Sequence, residues 1–70
     1  MQNEIERRKQ TIGKHADLAL KEIGIVLNRL SKAYLMATGG EESYIIAQSI
    51  QDLRDVRTRI NVISNHNRYI

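Results

Sequence analysis

Cysteine, proline, phenylalanine and tryptophan are all absent from this 70-residue chain, and it has only four glycines and three tyrosines. Without cysteine there is no disulfide and no thiolate metal site, and the composition is compatible with a reducing cytoplasm. Without proline, nothing of that kind interrupts a helix. No apolar run approaches the ~20 residues needed to span a bilayer, and the N-terminus lacks the apolar core of a signal peptide. The expectation is a soluble, cytoplasmic protein.

Catalytic signatures are missing too. There is no G-x-S-x-G, Walker or Rossmann glycine pattern. Gly39-Gly40 is not followed by Lys-Ser/Thr and reads as a turn. His15 and His66 are the only histidines. They have no supporting carboxylate motif and are weak evidence for a metal. Asp52 and Asp55 share a helix face, but Arg59 stands one turn beyond Asp55, which suits a solvated ion pair. No enzymatic activity, cofactor or metal is expected.

What the chain does have is two apolar stripes on either side of Thr38-Gly39-Gly40. The first is Ile12, Ala16, Ala19, Ile23, Val26, Leu30, Ala33 and Ala37. The second is Ile46, Ser49, Leu53, Val56, Ile60 and Ile63. Both step by alternating threes and fours, which keeps every member on one side of an α-helix. The reading is all-α: one domain over 1–70, an antiparallel two-helix hairpin, with helix 1 over about 3–37, a turn at 38–40 and helix 2 over about 41–65. Asn3 is an N-cap candidate with Glu6 three residues on. Glu41 and Glu42 suit the positive end of a second helix dipole, and Gly39 suits a left-handed helix end. The tail 65–68 is polar and expected to fray. At ~1.5 Å per residue helix 1 is about 50 Å long and helix 2 about 37 Å, so the segment before Ile12 overhangs.

Charge is mildly basic, +3 with an estimated pI near 9.6. Acids and bases are interleaved along both helices, as in Asp17 before Lys21 and Asp55 before Arg59, a pattern worth roughly 0.3–0.5 kcal/mol per pair. Arg7, Arg8, Lys9 and Lys14 are expected at the same end as Arg57, Arg59 and Arg68. That is the footprint a nucleic-acid site requires. Glu4, Glu6 and Asp55 dilute it, and Tyr34, Tyr44 and Tyr69 are too scattered to form a stacking platform, so nucleic-acid binding is disfavoured.

A hairpin has a single helix–helix seam, and this chain has more apolar surface than one seam covers. Leu20, Leu27 and Tyr34 flank the first stripe. Leu18 and Ile25 lie nearly opposite it, and Ile45 and Val62 lie off the second. Single exposed apolar residues are ordinary, but together these make a wide apolar face with no third helix to cover it. A chain this short is marginal without a staple, and the staple left is a partner subunit. Leu20, Ile23, Leu27, Leu30, Tyr34, Ile46, Ile50, Leu53 and Ile60 are the candidate seam and protein-binding residues, the two roles not being divided. Gly13 and Gly24 each cost roughly 1 kcal/mol against alanine within a helix. They fit either a close approach by a partner backbone or tolerated noise.

Gly39, Gly40 and Tyr44, followed by the amphipathic run from Ile46 to Ile63, resemble the small YscE/PscE/EscE-like co-chaperones of bacterial type III secretion. The resemblance implies a helical hairpin that binds a tetratricopeptide-like chaperone in the cytoplasm and stabilises it. The pair would keep the needle-forming subunit soluble before export. Two other classes remain open. One is a self-associating four-helix bundle of the Rop type that binds RNA through its charged end. The other is a small phage or regulatory protein that inhibits a host target.

Overall fold

The computed structural model describes residues 2–68. They form two α-helices, α1 (Gln2–Met36) and α2 (Gly40–Arg68), folded back on each other as an antiparallel hairpin. The molecule is a rod, with Cα extents of 56 × 15 × 14 Å. Tyr69, one of the scattered aromatics, lies outside the described residues, as does the side chain of Arg68 from the expected basic patch.

The turn forms where the glycines stand. The Ala37 amide bonds back to the Ala33 and Tyr34 carbonyls at 3.0 and 3.2 Å and closes α1. Gly39 and Gly40 then take φ values of 97° and 76°, a region closed to most residues with a Cβ and open to glycine. The Gly39 amide donates to the Ser43 hydroxyl at 3.1 Å, so a first-turn side chain of α2 satisfies a backbone donor of the turn. Glu41 and Glu42 occupy the first turn of α2.

Both helix starts and the second helix end differ from the sequence reading. Asn3 lies inside α1 and does not cap it, and α2 starts at Gly40. The polar tail continues as helix to Arg68 instead of fraying. The Asn67 amide group there donates to the Ile63 carbonyl at 2.7 Å. α2 ends level with about residue 12 of α1, so the overhang is the segment before Ile12, as its spacing predicts.

Two contacts set the register at the open end. A Cβ on Gly13 would lie 3.3 Å from Asn67 Cβ, and the Ser64 hydroxyl donates to Asp17 Oδ1. Residues abreast therefore carry numbers adding to 80 or 81 (13 with 67, 17 with 64). Gly13 is the point of close helix approach, and what approaches is the chain's own α2. Gly24 faces open space.

The seam lies one column away from the expected stripes. On α1 it runs Gly13, Ala16, Leu20, Ile23, Leu27 and Leu30, with Ala37 just past the helix end, all buried or half-buried; on α2 it runs Ser43, Ile46, Ile50, Leu53, Ile60, Ser64 and Asn67. Ala16, Leu27 and Ser64 are its most enclosed members. Ile12, Val26, Val56 and Ile63, expected inside, are each more than a third exposed. Leu20 and Leu27, expected to flank the stripe, are seam residues.

Candidate protein-binding face

The seam offset creates a face. Positions on a helix that repeat every seven residues form a column, and in an antiparallel pair the columns on one side of the seam adjoin each other. On one side α1 presents Ile5, Ile12, Ala19, Val26 and Ala33, and α2 presents Ser49, Val56 and Ile63. Ile12, Ala16, Ala19, Ile60 and Ile63 line a shallow groove with Thr11 and His15, of about 370 Å³. This places both columns on the same side of the rod. On the opposite side the columns are Asp17, Gly24 and Ser31 of α1, with Ala47, Arg54 and Asn61 of α2. A small depression there joins Leu20 to Arg57, Thr58 and Asn61. One long side is apolar and the other polar.

The polar member of the apolar side fits it. Ser49 donates its hydroxyl to the Ile45 carbonyl one turn back, at 2.8 Å, so the group is satisfied within its own helix and can be covered without stranding a donor.

Charged residues edge the face. Next to the α1 column stand His15, Glu22 and Arg29, and next to the α2 column stand Asp52, Arg59 and His66, all exposed. By the register Glu22 is level with Arg59, Arg29 with Asp52, and His15 with His66. Glu4 and Arg8 close an i,i+4 ion pair at 3.0 Å, whereas Asp55 and Arg59 do not close theirs. Among the described residues no group of three or more His, Cys, Asp or Glu is placed to hold a metal, and no helix is long and apolar enough to cross a membrane.

The structure separates the candidate residues by role. Leu20, Ile23, Leu27, Leu30, Ile46, Ile50, Leu53 and Ile60 form the seam. Tyr34 continues the seam column near the turn but stays exposed. The exposed face consists mainly of Ile12, Val26, Val56 and Ile63. Leu18, Ile25, Ile45 and Val62 are exposed, as the sequence reading had them. The turn end is also apolar, with Leu35 and Met36 each 81% exposed beside Tyr44 and Ile45.

The basic residues do not gather at one end. Arg57 and Arg59 lie abreast of residues 21–24, about 20 Å along the rod from Arg7–Lys9 at 1.5 Å per residue. The patch expected from antiparallel pairing is two separate groups, because Arg57 and Arg59 stand nine to eleven residues before the end of α2 at Arg68.

No family model, curated protein or solved structure matches the chain.

Proposed function

We propose that this protein is an interaction module, a rigid helix pair that works by laying its apolar side against the helices of another protein chain. One observation carries the reading. α2 leaves Val56 and Ile63 outside the seam, each more than a third exposed, on the same side of the rod as the exposed Ile12 and Val26 of α1. At ~25 cal/mol per Å² of apolar surface, leaving such residues in water gives up stabilisation that a helical partner would restore. The surface of the whole molecule points the same way. The chain exposes 5888 Å², against about 4,500 Å² for a compact monomer of its mass.

The resemblance noted in the sequence gives the proposal a specific form. The hairpin would be a co-chaperone that stabilises a tetratricopeptide-like chaperone, and indirectly a needle subunit. Helical-repeat proteins present paired helices, which are suited to receive a helix pair edge-on. The test is a tagged chain expressed in its own cells, with bound proteins identified by mass spectrometry. Val26→Asp and Val56→Asp are expected to release the partner, and Ile25→Asp, off the face, to retain it. Equal retention by all three would refute the face. Leu27→Asp is not a usable probe, because Leu27 is 8% exposed in the seam and a carboxylate there would break the hairpin itself.

A further inference from the structure

The charges edging the apolar face follow a pattern that identifies an occupant. We propose that a second copy of this chain covers the face, turned end for end, to make an antiparallel four-helix bundle. This rests on the reading of the face as a docking surface and goes further by naming what docks when the chain is alone.

Consider a two-fold axis crossing the face at the level of Val26 and Val56. It reverses the rod and lays α1 against α1 and α2 against α2. Residues of α1 then meet where their numbers add to about 51–52. Val26 meets Val26, Ala19 meets Ala33, and Glu22 meets Arg29 of the second copy. Residues of α2 meet where they add to about 111–112. Val56 meets Val56, Ser49 meets Ile63, and Asp52 meets Arg59. A single axis serves both helices because Val26 and Val56 are abreast in the hairpin register to within about two residues. Along the centre apolar residues meet, valine on valine at Val26 and Val56 and alanine on alanine at Ala19 and Ala33, with the small Ser49 opposite the larger Ile63. Along each edge an acid opposes a base, twice by symmetry.

The same pairs cannot close within one chain. Glu22 and Arg29 are seven residues apart on one helix, as are Asp52 and Arg59, a separation of about 10 Å. That is too far to pair, whereas positions three or four apart do.

The ends select the direction. Residues 4–14 at the open end carry four basic and two acidic side chains, and the turn end carries Glu41 and Glu42. Reversal sets each basic overhang beside an acidic turn. The alternative dimer, with both turns at one end, would place like-charged ends together. The area is modest. The face is about 15 Å wide, and by these sums it is paired over residues 16–36 of α1 and 44–68 of α2, roughly 32–37 Å. It therefore buries on the order of 500 Å² per copy, the size of a weak, reversible interface. A second copy and a different partner would compete for the same residues, so capture by a partner requires the dimer to part.

The experiment uses sedimentation equilibrium on the whole chain at low salt. Wild type is expected to be a dimer. Glu22→Arg sets a new arginine against Arg29 of the other copy, and Arg29→Glu sets a new glutamate against Glu22. Each is expected to weaken the homodimer roughly tenfold to a hundredfold. Both positions are exposed, so the hairpin itself is not disturbed, and far-UV circular dichroism verifies that. Mixed together, the two variants are complementary and are expected to form a heterodimer of near wild-type affinity. In the dimer with turns together, Glu22 would face Arg59, and mixing would restore nothing. A failure to recover on mixing therefore overturns the reversed arrangement. A monomeric wild type overturns the second copy as occupant, while the face reading then stands or falls on the Val26→Asp and Val56→Asp capture result. A wild-type dimer indifferent to Val56→Asp overturns the proposal by placing the contact elsewhere.

Discussion

Two neighbouring residues of α1 should respond differently to the same substitution. Leu27 is 8% exposed and Ile25 is 56% exposed, and both are large aliphatic side chains two positions apart in one helix. Replacing a buried leucine by alanine costs about 2–5 kcal/mol, less where the surroundings can collapse into the gap. A two-helix seam open on both flanks collapses readily, so the expected cost of Leu27→Ala is about 2–3 kcal/mol. At Ile25 less than half the side chain is covered. The lost transfer energy is about 1 kcal/mol, and alanine's higher helix propensity returns about 0.4 kcal/mol. The net cost is about 0.5 kcal/mol. A hairpin of this length has on the order of 4 kcal/mol to lose, so Leu27→Ala removes most of it. Urea unfolding followed by far-UV circular dichroism reads the difference. With an m-value near 1 kcal/mol/M, the Leu27→Ala midpoint drops by about 2 M and the Ile25→Ala midpoint by about 0.5 M. Equal shifts, or a larger one at Ile25, would refute the seam.

The glycines and the inter-helix hydrogen bond provide two more tests. Gly24 faces open space, so Gly24→Ala gains the full helix propensity of about 1 kcal/mol. Gly13→Ala gains less, because its new Cβ would meet Asn67 Cβ at 3.3 Å; thermal melts should rank Gly24→Ala above Gly13→Ala. The Ser64 hydroxyl is bonded to Asp17, and Ser64 is 2% exposed. A double-mutant cycle of Asp17→Ala and Ser64→Ala should give a coupling of about 1–2 kcal/mol, typical of a hydrogen bond to a charged acceptor. A coupling near zero would mean that this bond does not help to fix the register.

Much of the fold was legible in the residues. The alternating three-and-four spacing, the lack of proline and the Gly39-Gly40 pair specify two helices and a tight turn, because each acts within a few residues. Other features were not legible for identifiable reasons. Asn3 had the chemistry of a cap, but α1 extends past it. The tail 65–68 is polar, yet it remains helical because Asn67 packs against Gly13 and Ser64 bonds to Asp17, partners some fifty residues away in sequence.

The candidate site was half legible. Ala16, Ile23 and Leu30 of α1, and Ile46, Leu53 and Ile60 of α2, belong to the stripe under either rotation of the helices. On α1 the columns on both sides of them are apolar, with Leu20 and Leu27 on one side and Ile12, Ala19 and Val26 on the other. Hydrophobicity even favoured the wrong side of α2 near its end, since Ile63 is more apolar than Ser64, yet Ser64 is 2% exposed and Ile63 43%. Two helices, the place of their turn and a surplus of apolar surface over one seam all followed from the residues alone, because periodicity and glycine conformation are local properties. Which column faces inward was set at the tertiary level. That choice depends on the close approach at Gly13 and on the bond between Ser64 and Asp17, which exist only once the two helices lie side by side.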